Sequence, residues 1–284
     1  MELTVFDQIL YQFETLCTGG LPQIKAMMMS TFWMLATLDA CLAFLTNLED
    51  GDHIKILIQK CLKIGFWLFF LNNWGLFCNV IKNGFIMAGA AMGSGADLGL
   101  LQHPSQVVSQ GIDTFQCILD YESTITGVAE TMANFGMVIA GILAYLVGCL
   151  AYVILGIQIV LTYVEFYLIC AMFAIFVPFG VTKWTSFLAE KAIGGVIAYG
   201  IKLAMLACIC SIIPDVLGAY QGTTLTDENA LTCMVSIVAV ALLLAFLAWA
   251  APALAASLMT GGPSLTAGSA AMAGAAVAAG TALL

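Results

Sequence analysis

"FGMVIAGILAYLVGCLAYVILGIQIVLTYVEFYLICAMFAIFV", residues 135–177, is a run of 43 residues with Glu165 as its only charge, closed by Pro178. A helix needs about 20 apolar residues to cross a bilayer, so this run is twice a span. It is either a tight hairpin of two spans or one helix of roughly 65 Å at 1.5 Å per residue. That choice decides the topology of the chain, six spans or five.

The composition supports the membrane reading. Mean hydropathy is +1.03, 62% of the 284 residues are hydrophobic and 9% are charged, a balance that cannot cover a water-soluble domain of this size. The chain reads as an all-α, polytopic membrane protein. Its start, MELTVFDQIL, has no basic n-region followed by a short apolar core, so no cleaved signal peptide is expected. Net charge is −9 and every one of the eight basic side chains is a lysine. Without guanidinium groups to grip phosphate, no tight direct nucleic-acid binding is expected.

Residues 1–26 form the first segment. Within them Val5, Phe6, Ile9, Leu10, Phe13 and Leu16 share one helical face, while Asp7, Gln8, Gln12 and Glu14 lie elsewhere, the pattern of an amphipathic helix on a membrane or partner. Residues 27–81 hold the first two spans, 27–48 and 64–81. Residues 82–134 carry five carboxylates and a single lysine, Lys82 at their edge, and are rich in Gly and Ser; they read as a central acidic loop with one or two short helices. One of these is signalled to start at Pro104 and Ser105. Residues 135–257 contain the long apolar run and two further spans, 192–213 and 231–257. The tail, 258–284, is uncharged and built of small residues.

Lysine placement separates the two topologies, because basic residues concentrate on the cytoplasmic side. With six spans, Lys55, Lys60 and Lys63 lie inside against Lys25, Lys82, Lys183 and Lys191 outside. With five, Lys55, Lys60, Lys63, Lys183 and Lys191 lie inside against Lys25 and Lys82. The count favours five spans and one long helix, with the N-terminus and acidic loop periplasmic and the C-terminus cytoplasmic. A protruding apolar helix then needs covering, which suggests an oligomer.

Catalytic constellations lack parts. His53 and His103 are the only histidines and both fall in expected loops, so zinc, haem and serine-hydrolase arrangements are incomplete and no cofactor is expected. Most of the ten cysteines lie in or beside apolar runs, where Cys acts as a small hydrophobe. Cys17 and Cys117 sit in polar stretches; they are free thiols unless both reach an oxidising face at bridging distance.

Intramembrane polarity is the remaining signal. Counted about a turn near Trp184, Glu165 and Lys202 reach similar depth, and unpaired intramembrane charges are rare, so the two are expected to form an ion pair. Gly194 and Ala198 share the face of Lys202 and would let a neighbouring helix approach. The same counting about a turn near residue 56 sets Asp39 opposite Asn72 and Asn73, a second polar contact. Trp33, Trp67 and Trp184 fit anchoring at the membrane interface.

The segment "TYVEFYLICAMFAIFVPFGVTKWTSFLAEKAIGGVIAYGIKLAML", 162–206, resembles the TrbL family of polytopic inner-membrane components of type IV secretion and conjugation machines. The resemblance rests on Val164 to Tyr167, on Phe179 and Gly180, on Lys183, Trp184 and Thr185, on Ala189 and Glu190, and on Gly200 to Leu203. More weakly it extends to "HPSQVVSQG" and to the Gly-Gly-Pro-Ser at 261–264. Lys183 stands where an arginine is frequent. The resemblance implies a non-enzymatic conduit subunit, homo-oligomeric in the inner membrane, that contacts other channel, pilus or stalk and ATPase subunits and transiently the translocated substrate. The alternative from the residues alone is a stand-alone transporter or ion channel using Asp39, Glu165 and Lys202.

Overall fold

The structure is a computed structural model that describes residues 4–46, 53–92, 101, 103–124, 132, 135–218 and 229–260. Among these residues the secondary structure is helical, joined by short turns and with no strand: α1 (Val5–Thr46), α2 (His53–Asn72), α3 (Trp74–Met92), α4 (Pro104–Thr124), α5 (Phe135–Phe173), a 3₁₀ segment (Ala174–Gly180), α6 (Ser186–Gly218) and α7 (Ala230–Thr260). Five stretches are long and apolar enough to cross a membrane: Val5–Thr46, Trp74–Met92, Phe135–Gly180, Ser186–Val216 and Ala230–Ala255. The protein is an all-α polytopic membrane protein, and residues 135–177 form one long helix with a 3₁₀ end rather than a hairpin.

Two expected boundaries move. The amphipathic stretch at 5–17 and the described part of the first span, 27–46, belong to one 42-residue helix with Pro22 inside it. A single proline removes one i→i−4 bond and crowds one carbonyl; with helix-compatible sequence on both sides, the chain resumes. The expected second span, 64–81, straddles an interruption at Asn73, and the spanning stretch is Trp74–Met92 instead. Asn73 competes with the helix for its own acceptor, since its side-chain amide donates to the Phe69 carbonyl at 3.0 Å beside the backbone bond. The acidic loop contains a 21-residue helix, α4, which begins at Pro104 as the sequence signals. The Gly-Gly-Pro-Ser at 261–264 and most of the small-residue tail lie outside the described residues.

The chain forms two compact units. One comprises residues 9–85 and 162–200, the other residues 1–8, 86–161 and 201–284. In the second unit α4 packs antiparallel on the first half of α5 through a series of notches. A Cβ at Gly111 would fall 2.1 Å from the Tyr152 ring, one at Gly148 2.0 Å from Phe115, one at Gly156 2.5 Å from Val108, and one at Gly141 2.1 Å from Glu122 Oε1. As numbers rise along α4 their partners fall along α5, so the glycines let the two backbones lie close over about four turns. Phe115 and Tyr152 meet edge to face, ring centroids 6.1 Å apart.

The outer face of α4 is polar, with Gln106, Asp113, Gln116 and Asp120 exposed. Its start is capped from a distance: Asp7 accepts from the Ser105 backbone N–H at 3.1 Å and from the Ser105 hydroxyl, with His103 Nδ1 3.5 Å away. The carboxylate supplies the acceptor that the first turn of a helix lacks, at the end where the helix dipole favours negative charge.

Candidate functional site

The first unit concentrates polar groups among apolar helices. Lys82 on α3 lies 3.6 Å from the Glu14 carboxylate of α1 and donates to the Tyr167 hydroxyl of α5 at 2.9 Å. Trp74 donates its indole N–H to the Cys170 carbonyl at 2.8 Å, joining α3 to α5. Tyr167 closes the Val-Glu-Phe-Tyr segment, so that motif helps hold α1 and α3. These links escape sequence reading because Glu14 looks like one polar residue of an amphipathic face and Lys82 like a span end.

A cavity of about 380 Å³ lies where two helix defects meet, Pro22 of α1 and the interruption at Asn73. Lys25 donates to the Asn72 carbonyl at 3.3 Å, one of the backbone acceptors near the interruption. In a membrane such acceptors need a partner within the protein, and a lysine of another helix provides it here.

A second cavity, about 680 Å³, lies under the loop that follows the 3₁₀ segment, lined by residues of α1, α2 and the loop. Asp39 and Lys60 form an ion pair there, their side chains 11% and 16% exposed. The partner of Asp39 is thus Lys60, while Asn72 and Asn73 line the other cavity. The difference has a physical origin. Helix α1 runs to Thr46 and α2 already starts at His53, so Asp39 and Lys60, each seven residues from those helix ends, stand at matched positions, which a turn counted near residue 56 does not give. Asp39 is therefore already engaged by a cation.

The loop itself is held by its threonines. Thr185 donates to the Phe179 carbonyl at 2.7 Å, and the Thr182 and Thr185 hydroxyls bond each other. A hydroxyl has one proton, so Thr182 donates to Thr185 and the pair closes the loop from within. Gly180 is required by contact: a Cβ there would fall 2.3 Å from Trp67. Trp67 is therefore buried against the loop, whereas Trp33 and Trp184 are 50% and 81% exposed, as interfacial anchors would be. Lys183 and Glu190 are also exposed.

The remaining expected residues are placed as follows. Glu165 falls in the first unit and Lys202 in the second. The loop turns as counted from sequence, since Phe173 and Gly195, equally far from Trp184, abut with a notional Cβ at Gly195 2.0 Å from the Phe173 ring. Close approach in this part of α6 falls on Gly195 and Gly200; among the described residues a Cβ at Gly194 meets nothing within 4 Å. Cys17 and Cys117 are free thiols.

The family model described as "TrbL/VirB6 plasmid conjugal transfer protein" matches residues 33–251, a stretch that includes both cavities' α2 walls, the motif loop and all of α4 to α6. No curated protein matches the chain.

Proposed function

Since the chain belongs to the TrbL/VirB6 plasmid conjugal transfer family and is therefore a component of a conjugal transfer, type IV secretion apparatus, we propose that it is a membrane-embedded, non-enzymatic assembly and conduit subunit of that channel. The observation that supports this most is the 39-residue α5, longer than a bilayer requires, whose first half carries α4 with its polar outer face turned away. An apolar helix prolonged beyond the membrane and partly sheathed by its own chain suits a scaffold joining a membrane layer to an extramembrane one. The sheath also revises the expected cover: part of what other subunits were required to shield, α4 shields.

In this reading the protein sits in the inner membrane, with its N-terminus and α4 periplasmic and its C-terminus cytoplasmic. It assembles as a homo-oligomer with other channel, pilus or stalk and ATPase subunits, and contacts the substrate in passage. Purification from a conjugating host in mild detergent tests it. Secretion ATPases and channel subunits should co-purify, deletion of the chain should abolish transfer, and an impermeant thiol reagent should label Cys117 in intact cells. A protein that purifies alone and whose loss leaves transfer untouched would overturn the proposal.

A further inference from the structure

We propose that the cavity under the motif loop is a binding site for the phosphate of an anionic phospholipid headgroup. Its walls bring together Lys60, Lys63 and Lys183 against the single carboxylate of Asp39. Asp39 is committed to Lys60, and among the described residues no carboxylate lies within ion-pair distance of Lys63 or Lys183. Two ammonium groups are left to face one space of about 680 Å³, large enough for a headgroup.

Electrostatics points the same way. Burial pushes the Lys63 ammonium below the ordinary lysine range, and Lys60 and Lys183 press in that direction against the opposing pull of Asp39 and Glu190. A phosphate between Lys63 and Lys183 would relieve that repulsion. The loop threonines are consumed by each other and by the Phe179 carbonyl, so recognition would be by charge, through lysine point charges, as lipid phosphates are held in basic pockets between membrane helices.

A lipid source is favoured over free phosphate by the rim. Leu38 and Leu42 line the same cavity and are 51% and 38% exposed, and Trp184 at its edge is 81% exposed. Apolar side chains beside a cationic pocket match glycerol and acyl chains below a headgroup, and an exposed Trp suits the interfacial level.

The test uses the full-length protein in nanodiscs of phosphatidylcholine, with brominated phosphatidylglycerol titrated in and Trp fluorescence quenching as readout. Wild type should bind the anionic lipid in preference to brominated phosphatidylcholine. Lys63→Gln and Lys183→Gln should each weaken that preference about fivefold, the equivalent of about 1 kcal/mol per lysine near the surface. Lys55→Gln, a loss of charge on α2 outside the cavity, should leave it unchanged. Lys183 is exposed, so its variant keeps the proposal testable should Lys63→Gln misfold. Equal losses with Lys55→Gln would mean diffuse attraction and overturn the site. Full competition by millimolar inorganic phosphate would make it a free-anion site, and displacement of lipid by a single-stranded oligonucleotide would make it a nucleic-acid contact; either result overturns the lipid assignment.

Discussion

Asp39 lies seven residues before the end of α1 at Thr46, and Lys60 lies seven residues after the start of α2 at His53; their side chains meet as an ion pair with little exposure to solvent. The equal spacing sets the contact at matched positions on α1 and α2. The bridge ties α1 to α2 at the wall of the cavity that the motif loop closes. It also uses the carboxylate that an ion-conducting reading of the chain would need free.

Breaking that bridge from one side should cost more than removing it. Loss of one partner strands a buried charge, worth about 3–5 kcal/mol in comparable pairs. Asp39→Asn and Lys60→Met should each lower the thermal stability of the purified protein, and the double variant should recover part of the loss. Additive losses in a double-mutant cycle would show that the two side chains are not coupled.

The notches between α4 and α5 predict sharp steric limits. Gly148→Val forces an added side chain into the Phe115 ring, and Gly111→Val into Tyr152; overpacking of this kind typically costs about 1–3 kcal/mol. Gly136→Ala, whose Cβ meets nothing within 4 Å among the described residues, should be neutral. Thermal unfolding in detergent distinguishes these, and Phe115→Ala should relieve part of the Gly148→Val defect. If Gly136→Ala is as damaging as Gly148→Val, the contact geometry is wrong.

Glu122 on α4 predicts a pH dependence. Its Oε1 is buried without a hydrogen-bond partner among the described residues, and burial raises its pKa above the ordinary carboxylate value, which favours the protonated acid in the folded state. The stability it contributes is present below the unfolded value, near 4.3, and is lost as pH rises through the folded value. Glu122→Gln, which keeps the shape of the neutral acid, should therefore be more stable than wild type at pH 8 and indistinguishable from it near pH 4. Melting temperatures across that range would decide; a variant destabilised at pH 8 would place an unrecognised partner on the carboxylate.

Legibility followed the range of the interaction. The long helix could be read because 43 nearly uncharged residues leave room only for a hairpin or one helix and lysine counting separates the two; the motif loop could be read because its residues are contiguous. The start of α2 was hidden because Lys55, Gln59, Lys60 and Lys63 look like a polar loop, and that shifted the turn and misassigned the partner of Asp39. The Glu14–Lys82–Tyr167 link was hidden for a different reason: its three members come from three distant helices, and no local pattern joins them.

The pairing of Glu165 with Lys202 remains a proposal, and it makes a definite prediction. Its support is the register near the loop, where Phe173 on α5 abuts Gly195 on α6, two positions equally far from Trp184. Counted along the sequence, Glu165 lies 19 residues before Trp184 and Lys202 18 residues after it. Opposite charges at one depth among apolar helices can offset each other's desolvation, whereas either alone is expensive. Glu165→Gln and Lys202→Met should each reduce the amount of assembled protein and, in proportion, transfer, while the exchange Glu165→Lys with Lys202→Glu restores assembly in part. A single variant that assembles fully yet loses transfer would assign the charge to the moving substrate or to an ion. If both singles and the exchange assemble and transfer as wild type does, the two side chains are not partners.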